Sequence, residues 1–203
     1  FHKSNCPDNK IVENIINNFL VKKNSFIFES VEKRKIRGRY TILGADPDKI
    51  WEFNKNKIHV FENSKKKRII KKPPYKFLKK LIEDFSFPLP KNLPPLCSLL
   101  VGYFSYDIIR YIEKVSDKCS DDLDIPDIRL LRPKTIIIHD NLKKKIYFIL
   151  NCFADEKIIN YKKYYENQIE YLYILKNLTL NFNSQNQIKS EKSKKSKVIS
   201  NMS

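Results

Sequence analysis

The chain has 203 residues, of which 41% are apolar and 12% aromatic, with a formal charge of +17. That is enough for one good-sized core or two small ones, and too apolar for a disordered chain. No apolar run reaches the ~18–20 residues of a membrane span and no signal-peptide pattern opens the sequence, so a cytoplasmic protein is expected; Phe1 in place of Met suggests a missing start.

In chain order, Asp8 caps a first predicted helix carrying Ile11, Ile15 and Phe19 at helical spacing. Ser25–Ser30 reads as a strand with apolar residues on both faces, which predicts a central position covered on both sides. Arg39–Leu43 follows as a second strand, then a hairpin of Lys49–Phe53 and Lys57–Glu62, with Arg68–Ile70 as an edge strand. Pro73 and Pro74 open a short helix with Tyr75, Leu78, Leu81, Ile82 and Phe85 on its buried stripe. Four prolines make Phe87–Pro95 an extended connector. Leu96–Phe104 is then a long apolar strand broken by Gly102, and Tyr106–Val115 a helix. Beyond an acidic loop, Asp117–Asp127, the strands Lys134–His139 and Lys145–Phe153 form a hairpin. Asp155–Leu178 is a helix with Ile158, Tyr161, Tyr165, Ile169, Leu172 and Leu175 on one face. These elements predict an α+β fold: mostly antiparallel β-sheets packed as a sandwich with flanking helices. Residues 1–180 form one domain, and the polar stretch 181–203 a linker.

Familiar catalytic signatures are missing: there is no HExxH, P-loop, GxSxG or GxGxxG. His2, His59 and His139 are isolated, and Asp121, Asp122, Asp124 and Asp127 read as a solvated acidic loop rather than a magnesium site. Cys6, Cys97, Cys119 and Cys152 are scattered without a CxxC pair, and read as reduced thiols. The lysine clusters leave one alternative of another class, a basic nucleic-acid-binding module, although no helix-turn-helix, zinc-finger or RNP-like pattern accompanies them. No catalytic, cofactor or metal residue is assigned.

Only three glycines occur, Gly38, Gly44 and Gly102, and all fall in two short segments. Such sparing use predicts backbone positions that need φ > 0 or close approach by a neighbour. In the first segment the period of two puts Phe26, Phe28 and Ser30 on one face, with Ile27 and Glu29 on the other. Either Glu29 and Ser30 simply end a strand at a turn, or they meet the ammonium and carboxylate of a small zwitterion, with Arg37 and Arg39 facing them.

The run Ser25-Phe-Ile-Phe-Glu-Ser-Val-Glu32, followed by Arg37-Gly-Arg-Tyr-Thr-Ile-Leu-Gly-Ala-Asp-Pro47, resembles the N-terminal domain of the anthranilate synthase large subunit, component I. Leu100-Val-Gly-Tyr-Phe-Ser-Tyr-Asp-Ile-Ile-Arg-Tyr-Ile-Glu113 and Pro126–Asp140 are similar to the second and third blocks of that family. The likeness covers about residues 24–155, and departs from the family at Ser98-Leu99, where a Gly-Gly pair is usual. It implies a regulatory domain that binds L-tryptophan as feedback inhibitor through Glu29, Ser30 and Arg37. It implies also a following chorismate-binding catalytic domain, absent here although Ser200-Asn-Met-Ser203 is similar to its start, which makes anthranilate from chorismate with Mg²⁺. The implied partner is a glutamine amidotransferase subunit (component II). The same domain of aminodeoxychorismate synthase component I is the alternative within the superfamily.

Overall fold

A computed structural model describes residues 1–5, 15, 22–29, 38–63, 65–86, 88–116, 121, 123–156 and 158–180. The predicted linker, most of the first predicted helix, Ser30, Arg37, Cys6, Cys119 and Asp122 lie outside the described residues. Among those described are eight strands: β1 (His2–Asn5), β2 (Phe26–Phe28), β3 (Tyr40–Asn54), β4 (Lys57–Glu62), β5 (Lys65–Lys71), β6 (Val101–Phe104), β7 (Ile128–Asp140) and β8 (Lys145–Leu150). Two α-helices join them, α1 (Pro74–Phe85) and α2 (Tyr161–Leu180), with a 3₁₀ turn at Tyr106–Tyr111. None of these helices is long and apolar enough to cross a membrane.

The architecture is α+β, as the sequence predicts, with every strand pair antiparallel and the eight strands joined in one sheet: six in the order β1-β8-β7-β3-β4-β5, with β2 paired to β3 and β6 to β7 off that path. Its spine is the pairing of β3 with β7. Tyr40–Ala45 pair with Thr135–Asp140, and Lys49–Phe53 with Ile128–Arg132. At the midpoint Pro47 faces Pro133, and the register slips between Pro47 and Lys49. Two opposed prolines remove both amide donors from that rung, so the ladder breaks there and β3 carries one extra residue, Asp48. Asp46, at φ 52°, makes the turn into the bulge; its carboxylate accepts hydrogen bonds from Thr135 Oγ1 and from the Tyr171 hydroxyl, both at 3.0 Å. The predicted strand Arg39–Leu43 and the first arm of the predicted hairpin are thus one continuous strand.

The bulge also swaps faces. Before it, Leu43 and Ala45 pack with Ile137, Phe148 and Leu175 under α2. After it, Trp51 and Phe53 pack with Ile128, Leu130 and Val60, covered by Phe77, Leu78 and Leu81 of α1. β7 alternates without interruption, so Ile137 and Leu130 project to opposite faces; the two helices therefore cover opposite sides of the spine.

Several predicted elements differ in detail. Among the described residues β2 pairs with β3 alone, and it is peripheral rather than central. Its faces are both used, however: Ile27 packs on the α2 side and Phe26 on the other. The long strand predicted at Leu96–Phe104 shrinks to β6, and the helix predicted after it to the 3₁₀ turn. In α1 the inward stripe is Phe77, Leu78 and Leu81, whereas Tyr75 and Ile82 are exposed. In α2 the inward residues are Tyr171, Leu172 and Leu175, with Tyr161 and Tyr165 in solvent. Cys97 is buried and Cys152 exposed, both as free thiols.

Candidate functional site

Two places concentrate the chemistry of this fold: the open end of β2 and the bulge of β3. At the first, Phe26 lies over Gly44, its register partner, where an added β-carbon would overlap the ring. Glycine leaves room for the Phe26 ring there, and a β-carbon would make the ring move. Phe28 packs against Phe26 in a tilted pair with ring centroids 5.2 Å apart and leaves 51% of its surface open. Glu29 follows at once and is exposed. Of the three predicted tryptophan-contacting residues, then, Glu29 stands beside an exposed aromatic ledge, while Ser30 and Arg37 are not described. Next along the chain, Arg39 is spoken for: its Nε and Nη2 donate to the Asp140 carboxylate at 3.0 and 2.7 Å. Burial alone would raise the Asp140 carboxyl, but these bonds and the amides of Leu142 and Lys143 hold it below the ordinary value.

The bulge builds a denser site that no sequence motif announced. Asp48, the extra residue, is buried together with Arg132, and the two form a bidentate ion pair. Asp155 meets the same guanidinium at 2.9 Å and accepts from Lys49 Nζ at 2.5 Å. The guanidinium lies 4.0 Å from the centroid of Phe153 and 5.9 Å from that of Trp51. Burial pushes Arg132 down, but the hydrogen bonds to Asp48 and Asp155 outweigh it and hold the group above its ordinary pKa. Burial likewise opposes ionisation of Asp155, yet Lys49 and Arg132 draw its carboxyl down to about 2. Arg132 is thereby a fixed charge, bonded on both forks and stacked on aromatic rings. A signal existed in the sequence, the aspartate-proline-aspartate step of Asp46-Pro47-Asp48, but nothing local said that Arg132 would face it.

Of the acidic loop, Asp121, Asp124 and Asp127 are among the described residues. Asp127 accepts a hydrogen bond from the Tyr111 hydroxyl at 2.5 Å and one from the Lys55 amide at 3.1 Å, and Asp121 accepts from the Asp124 amide. No group of three or more potential metal ligands occurs among the described residues.

A family model described as chorismate binding enzyme matches residues 23–202. Anthranilate synthase component 1 of Acetivibrio thermocellus is 32% identical over 133 residues, which cover 66% of this chain and 27% of that protein. Anthranilate synthase alpha subunit 1, chloroplastic, of Arabidopsis thaliana is 30% identical over 161 residues, 73% of this chain and 27% of its own. The crystal structure of anthranilate synthase component I from Streptococcus pneumoniae superposes with a TM-score of 0.53 over 87% of this chain and 37% of that one, at 19% identity. The fold is therefore that of the structural neighbour, and the chain spans about a quarter of the length of the curated relatives it matches.

Proposed function

We propose, for a chain that belongs to the chorismate binding enzyme family, that it is the tryptophan-sensing N-terminal part of an anthranilate synthase component I. The observation that carries this reading is the β2 edge: an exposed Phe28 ring backed by Phe26, leading directly into Glu29 and Ser30. The indole of tryptophan lies on the aromatic ledge, Ser30 and Glu29 hold the ammonium and carboxylate end, and Arg37 contributes a counter-charge. A second domain completes the pocket, and inhibition follows when tryptophan prefers the arrangement of the two domains that does not catalyse. Only such differential affinity shifts the balance, and a coupling of ~1–3 kcal/mol is sufficient. The complete protein makes anthranilate from chorismate in the cytoplasm with Mg²⁺, and takes ammonia from a component II amidotransferase.

The test is made on this chain joined to a chorismate-binding domain. Ser30→Arg or Ser30→Phe relieves tryptophan inhibition and leaves activity in place; unchanged inhibition removes Ser30 from the site. Because the family description names chorismate and the match spans residues 23–202, the substrate is titrated in parallel against the chain alone. The reading expects dissociation constants above about 1 mM for both chorismate and tryptophan. Micromolar chorismate binding would instead place the substrate site within these residues.

A further inference from the structure

A cavity of about 790 Å³ opens between α1, strands β3, β5 and β7, and the segment after β8. Trp51, Phe77, Phe85 and Phe153 give it aromatic walls. Trp51 is 4% exposed, while Phe85 and Phe153 stand 6.2 Å apart in a tilted pair. The rim is cationic. Lys49 and Arg132 are engaged with Asp155 and Asp48, but Arg68, Lys72 and Lys80 are exposed and have no ion pair among the described residues. Against these three stands Asp84 as the remaining wall carboxylate, so an excess of two positive charges faces an aromatic hollow. Ser98 is also on the wall, and its buried Oγ has no hydrogen-bond partner among the described residues.

We propose that this cavity is a binding site for a small planar aromatic carboxylate, separate from the β2 edge. Each half of the ligand has its counterpart. A flat ring fits between aromatic faces, where offset and edge-on contacts are favoured. A carboxylate at the mouth meets three mobile cations at the end of flexible stems, and the Ser98 hydroxyl supplies a donor inside. The volume lies within the ordinary range of small-molecule pockets, ~300–1,000 Å³. The fixed Asp48–Arg132–Asp155 cluster keeps the floor rigid, so the cost of ordering the site on binding is small. The proposal does not rest on tryptophan sensing, which concerns other residues.

Trp51 is the single tryptophan of the chain, and therefore a built-in reporter. The probe is benzoate, titrated against the intact chain while Trp51 emission is followed. A saturable change is expected, with benzyl alcohol (ring without charge) and inorganic phosphate (charge without ring) each weaker by about tenfold. The combined variant Arg68→Gln, Lys72→Gln, Lys80→Gln alters only exposed side chains and keeps the wild-type circular dichroism. It should weaken benzoate by about tenfold at low salt. No saturable response to benzoate, an equal response to phosphate, or full affinity in the triple variant would each overturn the proposal.

Discussion

Asp155 shows how one exposed carboxylate can matter to a buried neighbour. Its pKa in the fold is about 2 against an ordinary 3.8, so its contribution to stability is complete above about pH 4 and is lost as the pH falls through about 2. The side chain is 47% exposed, and solvent screening limits the effect to roughly 1 kcal/mol. Asp155→Asn should therefore lower the urea midpoint at pH 7 and approach the wild type near pH 2; a gap that ignores pH would contradict the ion pairs. Gly102 gives a sharper single-residue test. A β-carbon there would overlap the Arg129 carbonyl oxygen across the β6–β7 ladder. Since that obstacle is backbone, Gly102→Ala must push β6 away from β7, at about 1–3 kcal/mol, measured as a fall in urea midpoint with faster amide exchange in β6. The scarcity of glycine was thus a sound guide: Gly38 takes φ 75°, and Gly44 and Gly102 admit close neighbours.

At the scale of elements, the bulge of β3 decides which face each later residue presents. Deleting Asp48 would restore a regular rung and keep Trp51 and Phe53 opposite Leu130 and Ile128 on their native face, but it would take the buried carboxylate away from Arg132. The deletion variant should keep a cooperative urea transition but at a lower midpoint; an unchanged midpoint would mean that the Asp48–Arg132 pair contributes nothing. Arg132→Met should fold but lose about 3–5 kcal/mol, since Asp48 is left buried and unpaired; a near-neutral result in equilibrium denaturation would mean that Asp48 escapes to water. This is also where sequence reading stops being sufficient. The sequence predicts one strand ending at Leu43 and another starting at Lys49, whereas the pairing of Pro47 with Pro133, across more than eighty residues, lets a single strand run through. In α1 the apolar pattern was plain but its phase was not: Tyr75 and Phe77 both suit an inward position, and the sheet beneath selects Phe77.

Over the whole molecule, the two half-sheets share β3 and β7 and should unfold as one unit. Phe148→Ala in the half under α2 and Phe53→Ala in the half under α1 remove fully buried rings, and each should cost about 3–5 kcal/mol. Trp51 emission and far-ultraviolet circular dichroism should report the same midpoint in both variants; separated midpoints would show two independent halves. Antiparallel α+β organisation and the β7–β8 hairpin were legible because alternation and turn residues are local signals. Of the residues proposed to contact tryptophan, the sequence named Glu29 beside its aromatic neighbours, and among the described residues β2 lies on a sheet edge rather than in the centre. The charged cavity was not legible, since its parts come from α1, β3, β5, β7 and the segment after β8.

The pairing of β3 with β7 also sets a timetable for the ribosome. Residues 55–127 must be translated between the end of one strand and the start of the other, a wait of roughly 4–15 s at ~5–20 residues per second. Throughout it the nascent β3 keeps one whole edge unmatched, with isoleucine, leucine and tryptophan along it. Covering that edge with a holdase until β7 emerges should therefore raise the share of newly made chain that escapes aggregation.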